Sequence, residues 1–128
     1  MTPKRIKELS RAASAGAVII YPTDTVYGIG CNATDSRAVT RVRKAKKRPK
    51  KPFSIIAPTK KWVRENCVVD KEAEKWLKKL PGPYTLILQM KKQCVARNVS
   101  TKTLGVRIID HWFQRVVRKT GKPFVTTS

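Results

Sequence analysis

Apolar residues recur along this chain in two rhythms, one with the period of a helix and one with that of a strand. Ile6, Leu9 and Ala13 stand at helical spacing, and Gly16 follows where a helix end favours a left-handed residue. The run Ala17 to Tyr21 reads as a buried strand, which Pro22 ends because proline has no N–H to give to a ladder. Val26 to Cys31 reads as a second strand. Asp35 or Ser36 is placed to cap a helix that carries Val39, Val42 and Ala45 to about Lys47.

Pro49 and Pro52 bound a loop, Phe53 to Ala57 has the apolar run of a core strand, and a short helix with Trp62 and Val63 follows Pro58. Asp70 is placed to cap another helix, whose Ala73, Trp76, Leu77 and Leu80 follow the i, i+3, i+4, i+7 rule until Pro81-Gly82-Pro83 stops it. Tyr84 to Met90 and Thr103 to Ile109 read as strands joined by the polar connection 91–100. Asp110 then caps a helix with Phe113, Val116 and Val117 inward, Gly121 ends it, and Phe124 to Thr127 begins a last strand. Helices alternating with strands predict an α+β (α/β layered) fold in one domain, residues 1–128. The chain stops at Ser128 just as a strand begins to present polar side chains, so the expectation is a domain incomplete after Ser128.

Charge changes the picture most. There are 29 Lys+Arg against 8 Asp+Glu, a formal +21, and such self-repulsion implies a polyanionic partner or environment, RNA being the obvious candidate. No apolar run approaches a membrane span, and Met1-Thr2-Pro3-Lys4-Arg5 lacks the apolar core of a signal peptide. The expectation is a cytoplasmic protein with no membrane partner. Cys31, Cys67 and Cys94 read as free thiols, and the single His111 leaves no second imidazole for a zinc site. Cys31 with His111 is the Cys/His combination to consider for nucleophilic chemistry, and no phosphate-binding glycine loop is present.

Candidate chemistry collects at four places. Between Tyr21 and Gly30 the chain presents hydroxyl, carboxylate and phenol groups at a strand end, a common ligand position in α/β proteins and equally a plain polar turn. Arg41 to Lys51 holds eight cations and no acid; Arg43/Lys47 and Lys44/Arg48 would be like-charge helical pairs that a bound anion relieves. A triphosphate or RNA backbone fits this segment, and so does a solvated basic face. Strand alternation puts Leu104, Val106 and Ile108 on one face and Thr103, Gly105 and Arg107 on the other. A guanidinium there calls for an anion, either a carboxylate ligand in the gap left by Gly105 or an internal acid. Thr126 and Ser128 share a face of the last strand, as ligand donors or as partners of the backbone.

Taken in order, these pieces resemble the YrdC-type threonylcarbamoyl-adenylate synthase family. The resemblance rests on Tyr21-Pro-Thr-Asp-Thr-Val-Tyr-Gly-Ile-Gly30, Lys46-Lys-Arg48-Pro49 and Lys51-Pro-Phe-Ser54, then on Leu80-Pro-Gly-Pro-Tyr-Thr85, Leu104-Gly-Val-Arg-Ile108 and Pro123-Phe-Val-Thr-Thr-Ser128. It implies a YrdC-like twisted mixed sheet with flanking helices, and an enzyme that forms threonylcarbamoyl-AMP and pyrophosphate from L-threonine, bicarbonate and ATP. The product would feed the threonylcarbamoyladenosine modification of tRNA through a separate Kae1/TsaD-type transferase. The resemblance assigns Thr23, Thr25, Tyr27, Arg107 and Thr126 to L-threonine, and Lys46, Arg48, Lys51, Thr103 and Ser128 to ATP, with magnesium accompanying the triphosphate. It assigns no residue a covalent role.

Two other classes compete. A truncated, non-catalytic relative would act as a basic module for tRNA or double-stranded RNA, and its binding would fall steeply with salt. The carbamoyl-transferring domain of hydrogenase maturation shares the fold, and the expectation of a lone domain, without zinc-finger or acylphosphatase neighbours, argues against it.

Overall fold

The computed structural model describes residues 1–22 and 27–127. Helix α1 (Pro3–Ser14) starts at Thr2, whose hydroxyl accepts from the Arg5 N–H, and Gly16 follows it with φ 96°. Strands β1 (Ile19–Pro22) and β2 (Tyr27–Gly30) pair antiparallel, Tyr21 opposite Gly28. Helix α2 (Ser36–Lys46) is capped by Asp35, which accepts from the N–H groups of Arg37 and Ala38. Then come β3 (Ser54–Ile56), α3 (Lys60–Asn66) and α4 (Lys71–Leu77), the last capped by Asp70. Strands β4 (Leu86–Gln89) and β5 (Thr103–Arg107), helix α5 (Phe113–Thr120) and strand β6 (Phe124–Thr126) complete the order. Among the described residues no helix is long and apolar enough to cross a membrane.

The sheet is mixed. Its order is β4-β5-β3-β6, with β5 parallel to β3 and the other two pairings antiparallel. The β1/β2 hairpin joins its edge at β6, where the Ile29 N–H donates to the Thr127 carbonyl at 2.8 Å and the Val125 N–H to the Cys31 carbonyl at 2.7 Å. Gly30 permits this approach: a Cβ there would fall 1.8 Å from the Val125 carbonyl oxygen.

Each face of the sheet has its own fate. Ile55, Leu104, Val106 and Val125 lie in the larger core with Val39 and Val42 of α2, Val63 of α3 and Leu77 of α4. On the other face Ile56 and Phe124 join a second core with Tyr21, Phe113 and Val116, closed by Ile6 and Ala13 of α1. The next row of that face, Ile87, Gly105, Ser54 and Thr126, is left uncovered or half-covered. One face is therefore sealed and the other sealed only at one end.

Four sequence expectations are corrected. Asp110 does not cap α5: the helix begins at Phe113, Trp112 supplies no side-chain cap, and the Phe113 N–H is taken by Nδ1 of His111. α4 ends at Leu77, so Leu80 is buried from the loop beyond it. Trp76 is 38% exposed instead of inward, because its ring packs edge-on to Tyr84 with the Lys79 ammonium 4.2 Å from its centroid. Finally, α2 ends at Lys46 and Lys47 turns left-handed with φ 52°, so Arg48 leaves the helix and Lys44/Arg48 is not a helical pair.

Candidate functional site

The half-open face of the sheet gathers several of the residues singled out from the sequence. In β5 the exposed Thr103 and the half-buried Gly105 and Arg107 share that face, while Leu104 and Val106 are buried on the other. In the register, Gly105 is opposite Ser54, and Ser54 is opposite Thr126; Arg107 is one row away, beside Ile56. Thr126, Ser54, Gly105 and Arg107 thus form a polar strip across three strands. Sequence alternation predicts the grouping within β5, but only strand pairing brings Thr126 to it.

Arg107 is the electrostatic centre of the strip. Its Nε is buried and has no hydrogen-bond partner among the described residues. No ion pair to Arg107 exists among them either, so the internal-acid reading of this guanidinium gains no support there. A buried donor on a permanent cation is costly until an acceptor arrives, and a carboxylate answers both demands at once. Beside it the gap at Gly105 is partly taken. A Cβ there would stand 2.6 Å from Ser54 Oγ and 3.3 Å from Thr85 Cγ2, so the strip offers a hydroxyl where a vacant cleft was expected.

Thr126 is held from behind. The Tyr21 hydroxyl donates to Thr126 Oγ1 at 2.6 Å. Tyr21 is 1% exposed, stacked on Phe113 at 4.2 Å between ring centroids and edge-on to Phe124. Burial pushes its phenol up to about 12, so it keeps its proton at neutral pH. Gly28 accommodates this ring, since a Cβ there would lie 2.8 Å from Tyr21 Cζ.

At the opposite end of β3 the cations divide by role. Arg48 Nη1 donates to Thr127 Oγ1 at 3.3 Å and its Nη2 to the Pro52 carbonyl at 3.4 Å, while its Nε is buried without a partner among the described residues. Arg43 is committed to the backbone: it donates to the carbonyls of Asn98, Arg48 and Lys51 at 2.7, 2.7 and 2.9 Å. Its guanidinium lies 4.2 Å from the Phe53 ring centroid, and Arg48 lies 5.3 Å from it on the same ring. Burial and the nearby Arg48 charge lower the Arg43 pKa. Lys46 is half-buried at the end of α2, and Lys51 is exposed. Part of the cationic segment is thus a structural tie.

Tyr27 is 73% exposed at the start of β2. Thr23, Thr25 and Ser128 lie outside the described residues. Tyr21, Ser54 and Thr127 touch the strip or its neighbouring cation, and the sequence reading singles out none of them. Tyr21 and Ser54 sit inside the motifs that carry the family resemblance, but their contacts are with residues distant in sequence, which no local pattern reveals. Cys31 and His111 do not form a reactive pair: Cys31 is fully buried with its thiol pushed up to about 12 by burial, and His111 caps α5. A cleft of about 740 Å³ runs along the β4 edge beside Trp76 and Ile87, and neither Arg107 nor Thr126 lines it.

Comparison with known proteins gives one consistent answer. The Sua5/YciO/YrdC family, described as telomere recombination, matches residues 11–128. A threonylcarbamoyl-AMP synthase of Stutzerimonas stutzeri is 34% identical over 97% of this chain and 69% of its own length. Sua5 of P. abyssi, solved in complex with L-threonine, superposes with a TM-score of 0.91 at 29% identity, over all of this chain and 39% of that one. Full-length HypF in a phosphate- and nucleotide-bound form superposes with a TM-score of 0.82 at 26% identity, over 96% of this chain and 20% of that one. The chain spans between 42 and 71% of the length of curated relatives it matches.

Proposed function

The chain belongs to the Sua5/YciO/YrdC family, and from that premise we propose that it takes part in forming threonylcarbamoyl-AMP from L-threonine, bicarbonate and ATP. The observation that carries this reading is Arg107, a guanidinium with a buried, unpartnered Nε among the described residues, set beside the hydroxyl strip of Ser54 and Thr126. Arg107 receives the threonine carboxylate, with Thr126 next to it. Thr103, four residues along β5 from Arg107 and so on the order of 13 Å away, receives the triphosphate. Arg48, whose Nη1 reaches Thr127 on the neighbouring face of the last strand, supplies charge to it. Lys46 and Lys51 supplement the charge around it, and Tyr27, Thr23, Thr25 and Ser128 complete the two subsites.

The chemistry needs no covalent intermediate. The threonine amine takes up carbon dioxide from bicarbonate, and a carbamate oxygen attacks the α-phosphorus while the bond to pyrophosphate breaks. The protein orients the two substrates and offsets the charge that grows on the phosphates. Among the described residues there is no cluster of three or more His, Cys, Asp or Glu side chains. A magnesium ion would therefore travel on the triphosphate oxygens and water. The adenylate would pass to a Kae1/TsaD-type transferase for tRNA modification in the cytoplasm.

Pyrophosphate release from ATP, with and without L-threonine and bicarbonate, tests the reading. Release that requires both substrates, and that falls when L-serine replaces L-threonine, is the expected result. Release that ignores threonine, or ATP binding with no release, would overturn it. The basic surface favours a tRNA contact as well. Such binding should weaken about tenfold or more between 50 and 200 mM salt, as many phosphate contacts require.

A further inference from the structure

Resting on the amino-acid reading of the half-open face, we propose that Tyr21 is a positioning residue that fixes the direction of the Thr126 hydroxyl proton, so that Thr126 meets its ligand as a donor beside Arg107. A phenol that is 1% exposed must give its proton to something, and Thr126 Oγ1 at 2.6 Å is the acceptor. Once Oγ1 has accepted from behind, its own O–H is left to point into the half-open face. Thr126 and the Arg107 guanidinium are then donors on one strip, and a carboxylate, which when ionised only accepts, is the group that satisfies both.

The rest of the fold holds this arrangement rigid. Stacking on Phe113 and edge contact with Phe124 fix the ring plane, and the glycine at position 28 lets β2 lie against the ring. The phenol keeps its proton at any physiological pH, because burial pushes it up to about 12. A phenylalanine at this position would preserve the packing and remove only the constraint on Thr126.

A double-mutant cycle on the full chain tests the proposal. L-threonine and ATP affinities would be measured by calorimetry for Tyr21→Phe, Thr126→Val and the pair. Tyr21→Phe should weaken L-threonine about fivefold, the worth of one ordinary hydrogen bond, and leave ATP affinity unchanged. In the Thr126→Val background the same change should cost nothing further, since Tyr21 would have no hydroxyl left to orient. In the ligand-free wild type, the Tyr21 hydroxyl proton should appear in NMR spectra as a slowly exchanging resonance with a cross-peak to the Thr126 methyl group. Additive losses, or equal losses for both ligands, would reduce Tyr21 to a packing residue and overturn the proposal. A wild type that binds no L-threonine would instead sink the amino-acid reading and this proposal with it.

Discussion

The Oγ of Ser54 stands 2.6 Å from the point that a Cβ on Gly105 would occupy. These two residues face each other across the parallel β3/β5 pairing at the centre of the polar strip, so the floor of the candidate site is built to the width of a hydrogen atom. Gly105→Ala should therefore push Ser54 off its rotamer and crowd Thr85, at a cost of about 1–3 kcal/mol. Urea unfolding would read this, and Ser54→Ala in the same chain should restore part of the loss. No loss in the single variant would show that the strip has room to spare.

Arg107 should behave unlike a structural arginine. Its Nε has no partner among the described residues, so Arg107→Met should leave the ligand-free protein as stable as before or up to about 1 kcal/mol more stable. The same change should weaken L-threonine about 10- to 100-fold, the range expected for a hydrogen-bonded charge. Thermal denaturation and calorimetry separate the two effects. A stability loss of several kcal/mol would identify Arg107 as part of the scaffold.

Arg43 should show the opposite profile. It ties the end of α2 to the loops at residues 48–51 and 98–99 through carbonyl oxygens and lies over Phe53. Arg43→Ala should cost about 2 kcal/mol of stability. The exposed Lys44→Ala and Lys50→Ala should stay within about 0.5 kcal/mol of the wild type. Equal effects from all three would mean that the segment acts only through its summed charge.

Alkaline pH should unfold the protein from within. The Tyr21 phenol and the Cys31 thiol are both raised to about 12 in the folded state, from ordinary values of 10.0 and 9.0, chiefly by burial. The unfolded chain sheds these protons first, so the stability they contribute is fully present below about pH 9 and is lost as pH rises towards 12. Urea midpoints measured between pH 8 and 11 should fall steadily. Tyr21→Phe should flatten the upper part of that curve, above pH 10. A flat wild-type profile would contradict the burial of both groups.

Much of this protein follows from local chemistry. Asp35 and Asp70 cap the helices that follow them because a carboxylate can accept the first orphan N–H groups wherever the chain then turns helical. Gly121 closes α5, and the period of a strand alone puts Thr103, Gly105 and Arg107 on one side of β5. Where a neighbour in sequence competed for the same N–H, local reading failed: His111, not Asp110, serves the start of α5.

The sequence by itself determined the order of helices and strands, the two faces of β5 and the family, since all three are written in residue order at short range. Tertiary structure alone decided that Tyr21 would stand behind Thr126, 105 residues away, that Ser54 would occupy the gap at Gly105, and that Arg43 would be spent on carbonyls while Arg107 kept a donor without a partner among the described residues. The reason is physical. Propensity and period act over a few residues, whereas a hydrogen bond across a sheet exists only after pairing has fixed which strands are neighbours and in what register.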